Sequence, residues 1–167
     1  MKLSHDDVRV PEIPEARIAI LQSKWYREYT DKMIEKCLQI LAPSKCKQPA
    51  IYVLPGALEM PLAAQALARA RTKSSDLEAI ICFGAIMKGE TFHFEMIMNE
   101  CVRGLGQVML NESIPILIEV LPVSTIDQVA ARSADDGFNK GIEAALAAAE
   151  IIYWRRQLRK LMAASEG

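Results

Sequence analysis

Apolar residues along this chain follow two rhythms: short unbroken runs, and longer stretches in which they recur every three or four positions. Four runs, RIAIL at 17–21, AIYVL at 50–54, AIICFGA at 79–85 and PILIEVL at 115–121, carry aliphatic side chains on consecutive positions. A strand with one wet face would alternate, so unbroken runs predict buried strands of a parallel sheet covered on both faces. Between the first two runs Met33, Ile34, Cys37, Leu38 and Leu41 repeat at helical spacing, with Thr30 and Asp31 as start signals. Pro61 suits the first turn of a second helix, which continues into LAAQALARA. The third helix has the fullest stripe: Phe94, Ile97, Met98, Cys101, Val102, Leu105, Val108 and Met109 all fall at spacings of one, three or four. After the fourth run, Ser124 and Asp127 resemble a capping box that opens the short helix STIDQVAARS. A polar ADDGFN then leads into a long terminal helix beginning at Lys140.

Strand and helix alternation of this kind predicts an α/β protein, flavodoxin-like in outline: a three-layer sandwich on a four-stranded parallel sheet with right-handed crossovers. Residues 16–167 form a single domain, and residues 1–15, with Pro11 and Pro14, read as an extended arm that either packs on a neighbour or stays disordered. Small residues on the second and last helices permit close helix packing inside one subunit. The full stripe of the third helix offers in addition a surface for a symmetry mate, which points to a homo-oligomer.

Composition narrows the classes. A chain of 167 residues that is 51% hydrophobic and 25% charged, with a net charge of -1, is long enough for one core and has no overall pull towards nucleic acid or acidic lipid. No apolar run approaches the roughly 20 residues of a membrane span, and MKLSHDDVRV lacks the apolar centre of a leader peptide, so the expected location is the cytoplasm. Cys37, Cys46, Cys82 and Cys101 form no CxxC pair, and the last two lie in apolar segments where a reduced thiol packs as a small hydrophobe. With only His5 and His93, a histidine-rich metal site cannot be built. No GxGxxG follows the first run and no GxxxxGK[ST] occurs; RGLGQ at 103–107 falls in mid-helix, where glycine signals close packing.

In an open parallel sheet ligands gather at the carboxyl ends of the strands. Four loops qualify: QSKWYREYT, PGALEMP, GAIMKGET and PVST. Within GAIMKGETFHFE, residues 84–95, Gly84 and Gly89 let the chain turn sharply, and the amides of Gly89, Glu90 and Thr91 meet the start of the third helix. That is either an anion site or a plain N-cap by Thr91. His93, two residues on, is either a structural histidine or a proton carrier. Glu59 either complements the second helix's dipole or accepts hydrogen bonds from a ligand. Trp25, with Tyr26 beside it, either packs or stacks on a planar heterocycle. Arg132 and Lys140 flank SADDGFN and become phosphate cations if that loop folds over the strand ends, but are ordinary surface charges otherwise. Arg155, Arg156, Arg159 and Lys160 read as a solvated face, or as partners for a neighbour's carboxylates.

The ordered set PGALEMPLAA, GAIMKGETFHFE, NE, IPIL, STIDQ and FNKG resembles the lumazine synthase family, collinearly from about residue 16 to about residue 150. The resemblance implies a flavodoxin-like subunit in homopentamers, sometimes stacked as decamers or closed into icosahedral 60-mers, with active sites between subunits. It implies a transferase of riboflavin biosynthesis that joins 5-amino-6-ribitylaminouracil to 3,4-dihydroxy-2-butanone 4-phosphate, giving 6,7-dimethyl-8-ribityllumazine, phosphate and water without metal or organic cofactor. Carried over by position, Trp25 stacks on the pyrimidine; Ala57, Leu58 and Glu59 line the ribityl and ring pocket; and Ile86, Met87 and Lys88 follow them. Gly89, Glu90 and Thr91 cradle the phosphate with Arg132 of a neighbour, Lys140 sits near the phosphate route, and His93 moves protons. The family usually has Phe where Trp25 and Leu58 stand, and commonly Phe at Ile118, which reaches across the subunit boundary. Asp135 and Asp136 are unusual near the phosphate and must point away from it, and Glu119 is unexpected after the fourth run. The second reading is a non-catalytic relative that binds a flavin or lumazine as a carrier or shell protein.

Overall fold

In the computed structural model, which describes residues 9–70 and 76–165, every run is a strand and every periodic stretch a helix. The order is β1 (Arg17–Ser23), α1 (Arg27–Leu41), a 3-10 turn (Ala42–Ser44), β2 (Ala50–Leu54), α2 (Met60–Ala70), β3 (Leu77–Met87), α3 (His93–Asn111), β4 (Ile116–Val123), α4 (Ile126–Ser133) and α5 (Lys140–Ser165). Residues 1–8 of the expected arm lie outside the described residues. The strands form one parallel sheet in the order β2-β1-β3-β4. The expected three-layer α/β fold is therefore present, and its order reverses between β1 and β3.

Both faces of the sheet are covered, which explains the unbroken runs. Along β3, Ile81, Phe83 and Ala85 enter the apolar cluster built with α1 and α5, while Ile80, Cys82 and Ile86 enter the one built with α2 and α3. The first cluster also takes in Ile13, whose N–H donates to the Ser44 carbonyl at 2.8 Å, so the chain ahead of β1 is anchored on its own core. One strand departs from expectation. β2 is an edge strand, and its Ile51, Tyr52 and Val53 remain 44% to 45% exposed in the single chain.

The small residues of α5 do pack within the subunit: Ala144, Ala145, Ala148 and Ala149 are fully buried in the cluster with α1. Gly141 allows the closest approach, since a Cβ there would lie 2.0 Å from the Met33 carbonyl oxygen. Gly104 marks a second tight contact, its imagined Cβ being 2.8 Å from Cγ of Pro61 on α2, whereas Gly106 faces open space. The thiols of Cys37 and Cys82 are buried, and burial pushes both pKa values well up; burial alone lifts Cys101 to about 11. They pack as hydrophobes.

Helix starts were harder to read. α1 begins at Arg27, after Tyr26 in the left-handed region at φ 56. Thr30 and Asp31 instead tie α1 to β1, accepting from Gln22 Nε2 at 2.9 and 2.7 Å. The capping box of α4 is Thr125 with Gln128, one residue beyond the expected pair; Gln128 Oε1 accepts from the N–H of Ser124 at 2.6 Å. Phe92, not Thr91, holds the cap position of α3. Gly84 lies within β3 rather than at a turn, with Met60, Ser23 and Val120 around it, and no glycine among the described residues has a positive φ.

The C-terminal basic cluster departs in part from the expected solvated face: Arg159 and Lys160 are exposed, but three of its arginines are bonded within the chain. Arg156 Nε bonds Glu78 at 3.0 Å, Arg159 reaches the same carboxylate at 3.1 Å, and Arg155 donates to the Ser113 carbonyl. These arginines fasten α5 to the start of β3 and to the α3–β4 connection. Among the described residues no helix is long and apolar enough to cross a membrane.

Candidate active site

Beyond β1 the chain turns away through Ser23 and Trp25, with Lys24 N–H held by the Leu54 carbonyl at 3.0 Å. That bond sets the β1 exit beside the β2 exit. After β2 the loop 55–59 folds back; a Cβ on Gly56 would lie 3.1 Å from Glu59 Oε2 and 3.9 Å from the Trp25 indole, so the acid and the ring flank one glycine. β3 delivers Ala85, Ile86 and Met87, and Lys88 N–H bonds the Val123 carbonyl at 2.8 Å, fixing the β3 exit to β4. The result is a cleft of about 450 Å³ at the carboxyl ends of β1, β2 and β3. It lies where the strand order reverses, the position at which this sheet type binds ligands.

Of the residues singled out from sequence, Trp25, Ala57, Leu58, Glu59, Ile86, Met87 and His93 line this one cleft. Trp25 is 60% exposed, with Lys24 Nζ 5.3 Å from its ring centroid, so the indole is presented rather than packed away. His93 stands in the first turn of α3, exposed towards the cleft, and Lys88, Gly89, Glu90 and Thr91 form the exposed loop leading to it. No side chain caps α3, so its first amides lack the partner that a Thr91 cap would have supplied. Sequence reasoning passed over Ser23, Pro55, Gly56, Ala85 and Ile97, which line the same cleft. The strand-end rule contains them all, since each sits at or just beyond a strand terminus or on the first turns of α3.

Three singled-out residues lie elsewhere in the chain. Ile118 is half-buried on β4 opposite Cys82 and packs towards α2 and α3. Arg132 is exposed at the end of α4. Lys140, in the first turn of α5, bonds Glu143 at 2.6 Å. The two unusual aspartates are engaged structurally: Asp135 pairs with Lys36 of α1, and Asp136 Oδ1 accepts from the Phe138 N–H at 2.8 Å.

Glu119 joins the Lys140 group. Desolvation by burial raises its pKa to about 7, opposed by Lys140 and assisted by Glu143. Because the folded-state pKa exceeds the unfolded one, the native chain holds this proton more tightly. The stabilisation is complete at low pH and is lost as pH rises through about 7. Glu119→Gln is therefore expected to raise stability by about 1–2 kcal/mol at pH 8, after allowance for partial solvent screening, and to change little at pH 5. Urea denaturation at both pH values and one protein concentration checks this; an equal effect at both would remove the titration from the explanation.

The family model described as 6,7-dimethyl-8-ribityllumazine synthase matches residues 15–156. The 6,7-dimethyl-8-ribityllumazine synthase of Stenotrophomonas maltophilia (strain K279a) is 38% identical over 154 residues, covering 91% of this chain and 96% of that protein. The protein of the same name from Xanthomonas oryzae pv. oryzae (strain PXO99A) is 38% identical over 141 residues, 83% of this chain and 89% of its own. On the strength of these matches and of a cleft at the sheet's reversal point, the chain belongs to the 6,7-dimethyl-8-ribityllumazine synthase family.

Proposed function

We propose that the chain condenses 5-amino-6-ribitylaminouracil with 3,4-dihydroxy-2-butanone 4-phosphate to 6,7-dimethyl-8-ribityllumazine, a step of riboflavin biosynthesis. The observation that carries this reading is the convergence of Trp25, Glu59 and His93 on one cleft at the switch point. An exposed indole offers a stacking face for the pyrimidine, and a carboxylate beside Gly56 accepts ribityl hydroxyls. Ala57, Leu58, Ile86 and Met87 supply the apolar walls. The loop 89–91 and the open amides of α3 receive the phosphate, as a helix start without a side-chain cap favours an anion. Lys88 adds positive charge beside that loop. His93 carries protons as the amine condenses with the ketone, phosphate leaves and the ring closes. Much of the acceleration comes from holding two reactive molecules together.

The reading needs Arg132, Lys140 and Ile118 at a site that their own chain does not bring them to, so a neighbouring subunit supplies them. A homopentamer fits, because Ile51, Tyr52 and Val53 on the β2 edge, Leu62 on α2, and Phe92 and Met96 at the start of α3 are all exposed in the single chain. Three buried free thiols suit a reducing compartment, and the reading places the enzyme in the cytoplasm. Incubation of the purified protein with both substrates is expected to release the lumazine, followed by its absorbance. No product at high enzyme concentration would sink the reading, and tight riboflavin binding without turnover would replace it with the carrier.

A further inference from the structure

Lys36 sits on the inward side of α1 with its side chain only 9% exposed, and its ammonium bonds Asp135, 99 residues away on the α4–α5 connection. A lysine placed there must bring its charge out of water, which is unfavourable unless a carboxylate meets it. What the pair holds is specific. The connection is closed on itself by buried Asn139, whose Nδ2 donates to the carbonyls of Ser133 at 3.0 Å and Ala134 at 2.9 Å while Oδ1 accepts from the Gly141 N–H at 2.8 Å. Lys36 then ties this closed loop to a different element. Arg132 stands in the last turn of α4 and Lys140 in the first turn of α5, so one cation lies at each end of the tethered segment.

We propose that Lys36 and Asp135 are positioning residues for substrate phosphate: their ion pair sets where Arg132 and Lys140 stand, and so tunes affinity for the phosphorylated substrate without touching it. This rests on the reading that Arg132 and Lys140 serve that phosphate. It also assigns a use to an aspartate whose charge would otherwise oppose the anion. The Asp135 side chain is 87% exposed, but its carboxylate is turned to the Lys36 ammonium and paired with it.

The test uses the full-length assembled protein and the variants Asp135→Asn, Asp135→Glu and Lys36→Met. Asp135→Asn is expected to raise KM for the phosphorylated substrate, and the inhibition constant of inorganic phosphate, by about 5- to 10-fold, with kcat and the pyrimidine KM within about twofold. Asp135→Glu should restore both. Lys36→Met removes the buried charge together with its need for a partner, and should give the same split even if Asp135→Asn folds poorly. A fall in thermal midpoint with both KM values unchanged, or moved equally, would reduce the pair to a structural tie and overturn the proposal. If Arg132→Ala leaves the phosphorylated substrate's KM unchanged, the reading of Arg132 fails. Amide exchange then judges the tether: faster exchange at Asn139 and Gly141 in Asp135→Asn supports it, and unchanged exchange overturns it.

Discussion

Gly141→Ala is expected to destabilise the protein by about 3 kcal/mol or more, lowering its thermal midpoint by roughly 6–12 °C at fixed concentration. An added Cβ would lie 2.0 Å from the Met33 carbonyl oxygen and 2.8 Å from the Cys37 nitrogen. Both are backbone atoms of α1, so no side-chain rotation relieves the clash. α5 has to withdraw by an ångström or more, and that separation is transmitted along the helix to Ala144, Ala145, Ala148 and Ala149, all fully buried against the same cluster. Alanine gains about 1 kcal/mol over glycine in helix propensity, which opposes the effect but does not cancel it. Thermal or urea denaturation measures the balance. A midpoint within two or three degrees of the parent would mean that the interhelical contact is looser than these distances.

The same contact shows how far the chain could be read without coordinates. Ala-rich faces on two helices pointed to close packing, because small side chains are the only ones that permit it, and RGLGQ marked Gly104 for the same reason. Four apolar runs were sufficient for the sheet, since a strand covered on both faces has no reason to alternate. β2 broke that logic: its run is equally apolar, but an edge position leaves it half-exposed, and edge or centre is a property of strand order that a local pattern does not carry. Helix caps slipped by a residue or more where several polar residues stand together, as in Ser124, Thr125 and Asp127. The Arg156–Glu78 and Lys36–Asp135 pairs join residues 78 and 99 apart, so nothing local marks them.

At the site, the strand-end rule brought Trp25, Glu59 and His93 together because each follows a different strand of one sheet. The rule also covers the unremarkable lining residues Ser23, Pro55, Ala85 and Ile97, but their types carry no chemical signal by which to pick them out. Resemblance alone singled out Ile118, whereas Arg132 and Lys140 were marked by their place on either side of SADDGFN. None of the three is among the residues that line the cleft of the single chain, and a test of the assembly can be built on that.

Two nearly inactive variants, mixed, are expected to recover activity. His93→Ala should lower kcat by about 10- to 100-fold, positioning of the substrates supplying the remainder. Arg132→Ala should lower kcat/KM for the phosphorylated substrate by a similar factor, since a charge-assisted contact to phosphate is lost. Suppose each site takes His93 from one subunit and Arg132 from the next around a closed ring. After the two variants are denatured, mixed in equal amounts and refolded together, a site is intact when its histidine comes from an Arg132→Ala chain and its arginine from a His93→Ala chain. Each condition holds half the time, so about one site in four is fully wild type, and the mixture should show roughly a quarter of wild-type activity. If instead both residues served a site within one subunit, every site would carry a defect, and the mixture could only average its two parents. The contrast is between about a quarter and the roughly 1–10% that 10- to 100-fold losses leave in the variants themselves, and activity no higher than the average of the two variants would place Arg132 outside the reaction of its neighbour's cleft.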